Sequence, residues 1–367
     1  MAQKCAFSPI TLKVAFLEQS LQIVILNNNS HLSSPIDYFN LFKDTYVPFK
    51  NNRTLYKMLQ FITRFFQVGG DTFSQDEKDA IANKIKNTTE EEAIRDFEHL
   101  KNMDLTKISD ETRIGNKFVD HFTFGERLET ISKKGMSYYD FVQNTEYHKK
   151  KYIQNLLNYQ KGEDMHVALY RVFKLHCGSI GIFKPLTAME VYSRFKPQSV
   201  LDMTMGWGGR LVGACALDVP NYIGIDSNVQ LKEPYAHMTK LLKKLKTATK
   251  IKLMFKDALK VDYSKLDYDM VLTSPPYYNI EVYEGMKSAT EEEWETNFYI
   301  PLFTETYKYL KSGGHYVLNI PIDLYENVCI PLFGKANIKM PLKVKHNRPK
   351  NGYTKKGYTE FIYVWKK

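Results

Sequence analysis

Cysteine is scarce in this sequence: four residues in 367, at Cys5, Cys177, Cys215 and Cys329, with no Cys-x-x-Cys spacing. That scatter argues against a disulfide scaffold and a structural zinc site, and it points to a reduced intracellular compartment, either cytoplasm or nucleus/nucleoid. His176 beside Cys177 is expected to pack rather than to bind a metal. No run of about 18 apolar residues occurs, so no membrane span is expected. The stretch Ile10 to Leu26 is broken by Lys13, Glu18, Gln19 and Gln22 and reads as an amphipathic helix, not a signal peptide. No internal repeat is present. Acidic residues are outnumbered, 41 against 51 lysines and arginines, for a formal charge of +10. Such a surface suits a polyanionic partner. Aromatics are plentiful, with 25 Tyr and 22 Phe. The length exceeds one ordinary core and predicts two domains.

Residues 1–165 read as a mostly helical domain, a candidate for target recognition or partner binding. Asn27 to Ser30 and Ser33 to Pro35 form a loop. Apolar residues recur at helical spacing from Leu55 to Phe66. Ser74 with Glu77, and Thr88 with Glu91, have the spacing of capping boxes and start helices to Lys86 and Lys101. Thr145 to Tyr159 interleaves lysines with aromatics (Tyr147, His148, Lys149, Lys150, Lys151, Tyr152, Tyr159), as a phosphate-contacting face or simply a solvated one.

Residues 166–367 form the second domain. From about Ser179, short strands alternate with helices, the pattern of a parallel sheet. Strands are predicted at Ser199 to Met203, Asn221 to Ile225, Ile251 to Phe255, Asp269 to Thr273 and His315 to Asn319. A final pair covers Lys339 to Lys345 and Tyr358 to Trp365. Helices are predicted from Pro185 to Phe195, Arg210 to Leu217 and Pro234 to Lys246, and from Thr290 to Leu310 with a kink at Pro301 and a stop at Gly313-Gly314. The lysines at 240, 243, 244 and 246 read as the wet side of an outer helix.

The stretch Asp269-Met270-Val271-Leu272-Thr273-Ser274-Pro275-Pro276-Tyr277-Tyr278 organises this half. An apolar strand ends at two prolines that cannot continue a ladder. The carbonyls of Ser274 and Pro275 are then expected to be free to accept, with a hydroxyl before them and the Tyr277 ring after. Methylating an exocyclic base amine needs such groups. The amine lone pair is delocalised, acceptors aimed at its N–H groups localise it, and a flat ring holds a flipped base. A plain proline turn closing a strand is the alternative.

Upstream, Asp202-Met203-Thr204-Met205-Gly206-Trp207-Gly208-Gly209-Arg210 lets the backbone bend sharply just before a helix N-terminus. Its spacing is not the dinucleotide Gly-x-Gly-x-x-Gly. Asp226 closes the second strand, placed to accept both hydroxyls of a ribose. Asp257, followed by Ala258, comes after the third, placed to accept from an adenine amine. Each Asp alone is an ordinary turn or cap residue. Together, four groups at the carboxyl ends of successive strands mark the rim where open α/β sheets bind ligands.

These residues resemble the glycine loop and the (Asp/Asn/Ser)-Pro-Pro-(Tyr/Phe/Trp) motif of S-adenosylmethionine-dependent DNA amino-methyltransferases, which make N4-methylcytosine or N6-methyladenine. The resemblance covers roughly residues 180–367. It implies an α/β fold, the class I methyltransferase Rossmann-like sheet of seven strands with the last antiparallel, preceded by the mostly helical domain. It implies S-adenosyl-L-methionine as cofactor, held by Phe183, Lys184, Asp202, Thr204, Gly206, Gly208, Asp226, Asp257 and Ala258. Ser274, Pro275, Pro276 and Tyr277 would be catalytic, with no metal. Double-stranded DNA is the expected partner, and Ser274 in place of a carboxylate favours cytosine N4 over adenine N6. Met203-Thr204 departs from the Pro-Phe often found there. No large insertion near the catalytic motif serves as a recognition domain. An RNA base amino-methyltransferase and a silent nucleic-acid-binding subunit are the rival readings. The loop Lys345 to Lys356 is basic and lacks acidic residues, a candidate phosphate contact or a solvated hairpin.

Overall fold

The structure is a computed structural model that describes residues 73–105, 113–132, 134–158, 164–178, 180–277, 290–341 and 360–367. Cys5, the predicted helices at 10–26 and 55–66, the loop at 27–35, Tyr159 and the basic loop 345–356 lie outside the described residues. Contacts divide the chain into two units, Met1–Thr72 with Gln143–Gln154, and Phe73–Val142 with Asn155–Lys367. In the described part of the first unit, the Asn144 side chain caps the helix Thr145–Lys149 by accepting the Tyr147 N–H. Lys150 Nζ lies 3.8 Å over the Tyr147 ring.

The second unit carries the sheet. Its strands are β1 (Ser199–Asp202), β2 (Asn221–Asp226), β3 (Lys250–Phe255), β4 (Met270–Thr273), β5 (His315–Pro321), β6 (Ile338–Pro341) and β7 (Glu360–Lys366). They are arranged β3-β2-β1-β4-β5-β7-β6. Strands β1 to β5 are mutually parallel, and β7 runs antiparallel to both β5 and β6. This is the class I methyltransferase Rossmann-like sheet. The strand order reverses between β1 and β4, and it is at the carboxyl ends of the strands beside such a switch point that open α/β sheets form their binding crevice.

Alternating residues build the two cores, as a period of two requires. Val200, Tyr222, Met270, Leu272 and Val317 face one side. There they pack with helices α2 (Glu90–Lys101), α3 (Asn116–Glu129), α5 (Pro185–Phe195), α6 (Gly209–Ala216) and α7 (Lys232–Lys244), through residues such as Phe97, Phe118, Leu211, Val212 and Met238. Leu201, Ile223, Ile225, Val271 and Leu318 face the other side and meet Trp294, Tyr299, Leu302 and Phe303. Each such side chain contributes about 1.5–3 kcal/mol by leaving water. Phe97 and Phe118 belong to the same core as the sheet. The helices between 73 and 142 are therefore part of the sheet's own unit, whereas the sequence reading draws its boundary at 165.

Local signals explain the helix ends. Helix α1 (Gln75–Ile85) starts at the Ser74–Glu77 capping box, as predicted. Helix α2 starts at Thr89 with Glu92, one residue after the predicted Thr88–Glu91 pair. Both pairs have the right spacing. The register that buries Ala93, Phe97 and Leu100 decides between them, and the Thr88 carbonyl instead meets His121 Nδ1 at 2.7 Å. Pro185 opens α5, and α4 (Met165–Cys177) is capped by Asp164. The kink expected at Pro301 takes the form of a π turn, Glu295–Tyr299, before the helix Ile300–Lys308. Pro301 cannot donate to the preceding turn, and wider turns rescue such interruptions. The same device recurs at Tyr325–Cys329, ahead of Pro331.

Candidate active site

Because β1 to β4 are parallel, the predicted site groups come out on one rim. In space they run Asp257 after β3, Asp226 at the end of β2, the glycine loop after β1, and Ser274 after β4.

The crevice floor is a buried polar network. Asp202 has no exposed surface. Its Oδ2 accepts from Arg210 Nε at 2.7 Å and Tyr222 OH at 2.6 Å, and its Oδ1 accepts from Thr273 Oγ1 at 2.9 Å. Arg210 also donates to the Thr204 carbonyl. Burial opposes the charge on Arg210, but Asp202 outweighs it and holds the guanidinium protonated above its ordinary range. Asp202 therefore faces protein partners on both oxygens and acts through the loop it fixes. This network also ties β1 to β4. Thr204 Oγ1 lies 2.6 Å from Thr273 Oγ1 and 3.2 Å from the Ser274 carbonyl. Thr273 gives its proton to Asp202, so the Thr204 proton is the one shared between Thr273 and Ser274.

The glycine loop separates into two kinds of glycine. Gly208 has φ +95°, and a Cβ there would lie 2.8 Å from Met238 Cε. A Cβ on Gly209 would lie 1.8 Å from the Phe183 carbonyl oxygen, and one on Gly213 would lie 2.6 Å from that of Pro185. These three let the start of α6 close against 183–188 and α7. Gly206 differs. It has φ +55°, and its missing Cβ would meet nothing nearer than the Thr204 carbonyl at 3.9 Å. It faces open space. Tyr235 OH donates to the carbonyls of Met205 at 3.2 Å and Gly206 at 2.9 Å, fixing the bend.

Asp226 Oδ2 accepts the Gly206 N–H at 2.8 Å and Oδ1 accepts the Asn228 N–H at 2.9 Å. Each oxygen keeps a second lone pair. Burial pushes its pKa up to about 6, against the two N–H donors that favour the charge. Asp257 Oδ1 caps the turn Ala258–Lys260 through the Leu259 N–H at 3.0 Å, and Oδ2 lies 3.5 Å from Lys260 Nζ. Ala258 is buried, and its carbonyl accepts from Tyr263 OH at 2.8 Å. The Phe183 ring lies 5.1 Å from the Arg210 guanidinium carbon, beside the glycine loop. Lys184 is the residue before the first turn of α5.

At the end of β4, hydrogen-bond donors and acceptors assign most of the protons. Tyr277 OH donates to the Asn319 carbonyl at 2.9 Å. Ser274 Oγ lies 2.8 Å from the same phenol. The phenol has one proton and the carbonyl can only accept it, so Ser274 must donate to Tyr277. The Ser274 oxygen is left as an acceptor. Three successive carbonyls follow. That of Ser274 is not free as predicted but accepts from Thr204. That of Pro276 accepts from Tyr299 OH at 2.6 Å. Among the described residues none donates to the Pro275 carbonyl. Pro275 and Pro276 are buried, and Ser274 and Tyr277 are half-buried. The site thus presents one hydroxyl acceptor, one carbonyl acceptor and a ring anchored at its hydroxyl.

Arg210, Thr273, Tyr235, Tyr299 and Asn319 were not singled out from the sequence. Arg210 carried a signal: it is the one charge in the apolar helix Gly209–Ala216, all of whose residues are buried, and a buried charge requires a partner.

No family model and no curated protein matches the chain. Among solved structures, it is similar to a type I restriction-modification system methyltransferase subunit from Streptococcus thermophilus, with 14% identity over 91% of this chain and 72% of that one, at a TM-score of 0.34. It is similar to TrmN from Thermus thermophilus, with 15% identity over 51% of this chain and 50% of that one, at a TM-score of 0.34. It is also similar to an S-adenosylmethionine-dependent methyltransferase from Clostridium acetobutylicum, with 11% identity over 55% and 74%, at a TM-score of 0.29. Likenesses this remote carry no argument about activity.

Proposed function

We propose that the crevice binds S-adenosylmethionine and that its methyl group is transferred to an exocyclic amine of a DNA base, cytosine N4 ahead of adenine N6. The observation carrying this reading is the order of groups along one rim: Asp257, Asp226, Gly206 and then the Ser274–Pro275 acceptors. Neighbouring strands lie about 4.8 Å apart, so β3 to β4 spans about 14 Å. An extended nucleoside with an amino-acid tail fits that span, with adenine at Asp257, ribose at Asp226 and the methionine end at the glycine loop. The residues present suit such a group. Asp226 has an unused lone pair on each oxygen for the two ribose hydroxyls, and Gly206 leaves open space where a side chain would stand.

When bound, the cofactor supplies a methyl made electrophilic by its sulfonium sulfur. Ser274, its own proton held by Tyr277, accepts one N–H of the amine, and the Pro275 carbonyl accepts the other. Both bonds draw the lone pair out of the ring and toward the methyl. Transfer would form a nitrogen–carbon bond in place of the cofactor's carbon–sulfur bond, and the amine would release one proton to solvent. No bond to the chain is formed. Positioning supplies most of the rate. The Tyr277 ring, anchored through its phenol to Asn319, offers a face on which the extruded base stacks. The hydroxyl at 274 is a weaker acceptor than a carboxylate, so the Pro275 carbonyl carries more of the work; the preference for cytosine rests on the resemblance of Ser-Pro-Pro-Tyr to the motif of the cytosine N4 enzymes. Ser274→Ala tests it: cofactor affinity stays at the wild-type value and methyl transfer collapses. Transfer at the wild-type rate would remove Ser274 from the chemistry.

A further inference from the structure

Away from the crevice, α1, α3 and α4 bring basic and aromatic side chains together in one continuous group. Lys86, at the end of α1, pairs with Asp120 of α3, and Asp120 also pairs with Arg127. Lys86 Nζ lies 5.4 Å from the centre of the Phe124 ring, with the Arg127 guanidinium carbon 5.3 Å from the same ring. Phe124 meets Tyr170 of α4 edge-on at 5.5 Å between centroids, and Lys174 Nζ lies 4.7 Å over Tyr170. Lys86, Arg113, Arg171 and Lys174 are exposed. Burial of its stem, and then the nearness of Lys86, Arg171 and Arg113, lowers the proton affinity of Lys174. Cations that repel one another at a surface are relieved by a polyanion.

This patch is joined to the crevice. Arg127 Nε donates to the Thr123 carbonyl at 3.2 Å, and Thr123 Oγ1, which donates to the Val119 carbonyl at 2.9 Å, also lies 3.4 Å from the carbonyl of Trp207 in the glycine loop. One helix, α3, therefore touches the loop with Thr123 and floors the patch with Asp120, Phe124 and Arg127. Resting on the base-methylation reading above, we infer that the face carrying Lys86, Arg113, Arg171 and Lys174 is a track for the phosphate backbone of the nucleic acid whose base enters the crevice. Lysines and arginines supply the charge, and they contact phosphate without reading sequence.

The test uses the full chain, a labelled mixed-sequence duplex DNA, its single strands and the matching RNA. Dissociation constants are measured against salt for wild type, for Arg113→Gln with Lys174→Gln, and for Lys240→Gln on the exposed side of α7 as control. The expected result is that the double variant flattens the slope of log affinity against log salt by about 0.7–0.9 for each phosphate contact removed. The control slope and the cofactor affinity of all three proteins stay unchanged. A wild-type slope in the double variant overturns the track and leaves the base-methylation reading standing. Cofactor binding with no affinity for any of these nucleic acids overturns both. Binding of polyglutamate instead, sensitive to the double variant, overturns the track by assigning the patch to an acidic protein.

Discussion

Asp226 makes the cofactor site sensitive to pH in a calculable way. Burial pushes its carboxyl up to about 6 in the folded chain, well above the usual carboxylate range. The sign follows from the raised value. Whatever this group contributes to stability is fully present below about pH 4 and is lost as pH rises through 6. A rise of about two units corresponds to about 2–3 kcal/mol against the ligand-free fold at neutral pH, after allowance for its solvent-facing edge. Two ribose hydroxyls would donate to the charged form and relieve that penalty. Cofactor affinity should therefore be flat above about pH 7 and weaken about tenfold for each unit below 6. Calorimetry across that range, in buffers of different ionisation enthalpy, reads both the affinity and the proton released on binding. Asp226→Asn should abolish the pH dependence and bind weakly throughout. An affinity that stays constant from about pH 7 to 5 in the wild type, or full affinity in Asp226→Asn, would refute the ribose role.

Other outcomes follow from the same geometry. Tyr277→Phe keeps the ring but removes the phenol that holds the Ser274 proton. It should lower kcat by up to about 10² with little change in cofactor affinity, as steady-state kinetics would read, and an unaltered kcat would dismiss the Ser274–Tyr277–Asn319 arrangement. Gly209→Ala drives a Cβ into the Phe183 carbonyl and should cost about 3 kcal/mol or more in denaturant unfolding. Gly206→Ala pays only for its positive φ, about 1 kcal/mol, and should fold yet lose cofactor affinity; the reverse ranking of the two variants would invert the roles assigned to these glycines. Arg210→Met leaves Asp202 buried without its cation and should destabilise by about 3–5 kcal/mol, measured by the same unfolding.

Much of the architecture was legible because it depends on local rules. Apolar runs marked β1, β2 and β4, Pro185 and the Ser74–Glu77 box marked helix starts, and parallel strands put the four site groups on one rim. What the sequence did not reveal depends on partners distant along the chain. Asp202 is expected by resemblance to be part of the cofactor loop, but its partners Arg210, Tyr222 and Thr273 were not legible. The Ser274 carbonyl looked free because Thr204 is 70 residues away. The Thr88 and Thr89 boxes are equivalent by spacing, and only the phase of Phe97 and Leu100 against the core separates them. That Gly208 packs on Met238 while Gly206 faces space cannot be read from two identical letters.

The central claim is that a base amine receives the methyl group. The most direct measurement is chromatographic mass spectrometry of nucleosides from DNA and from RNA incubated with the protein and methyl-labelled cofactor. Label is expected on an exocyclic amine, N4 of cytosine first and N6 of adenine next, and is expected to disappear in Ser274→Ala. Label on a ring carbon or a ribose, or no labelled base in either polymer while the cofactor binds, would contradict it.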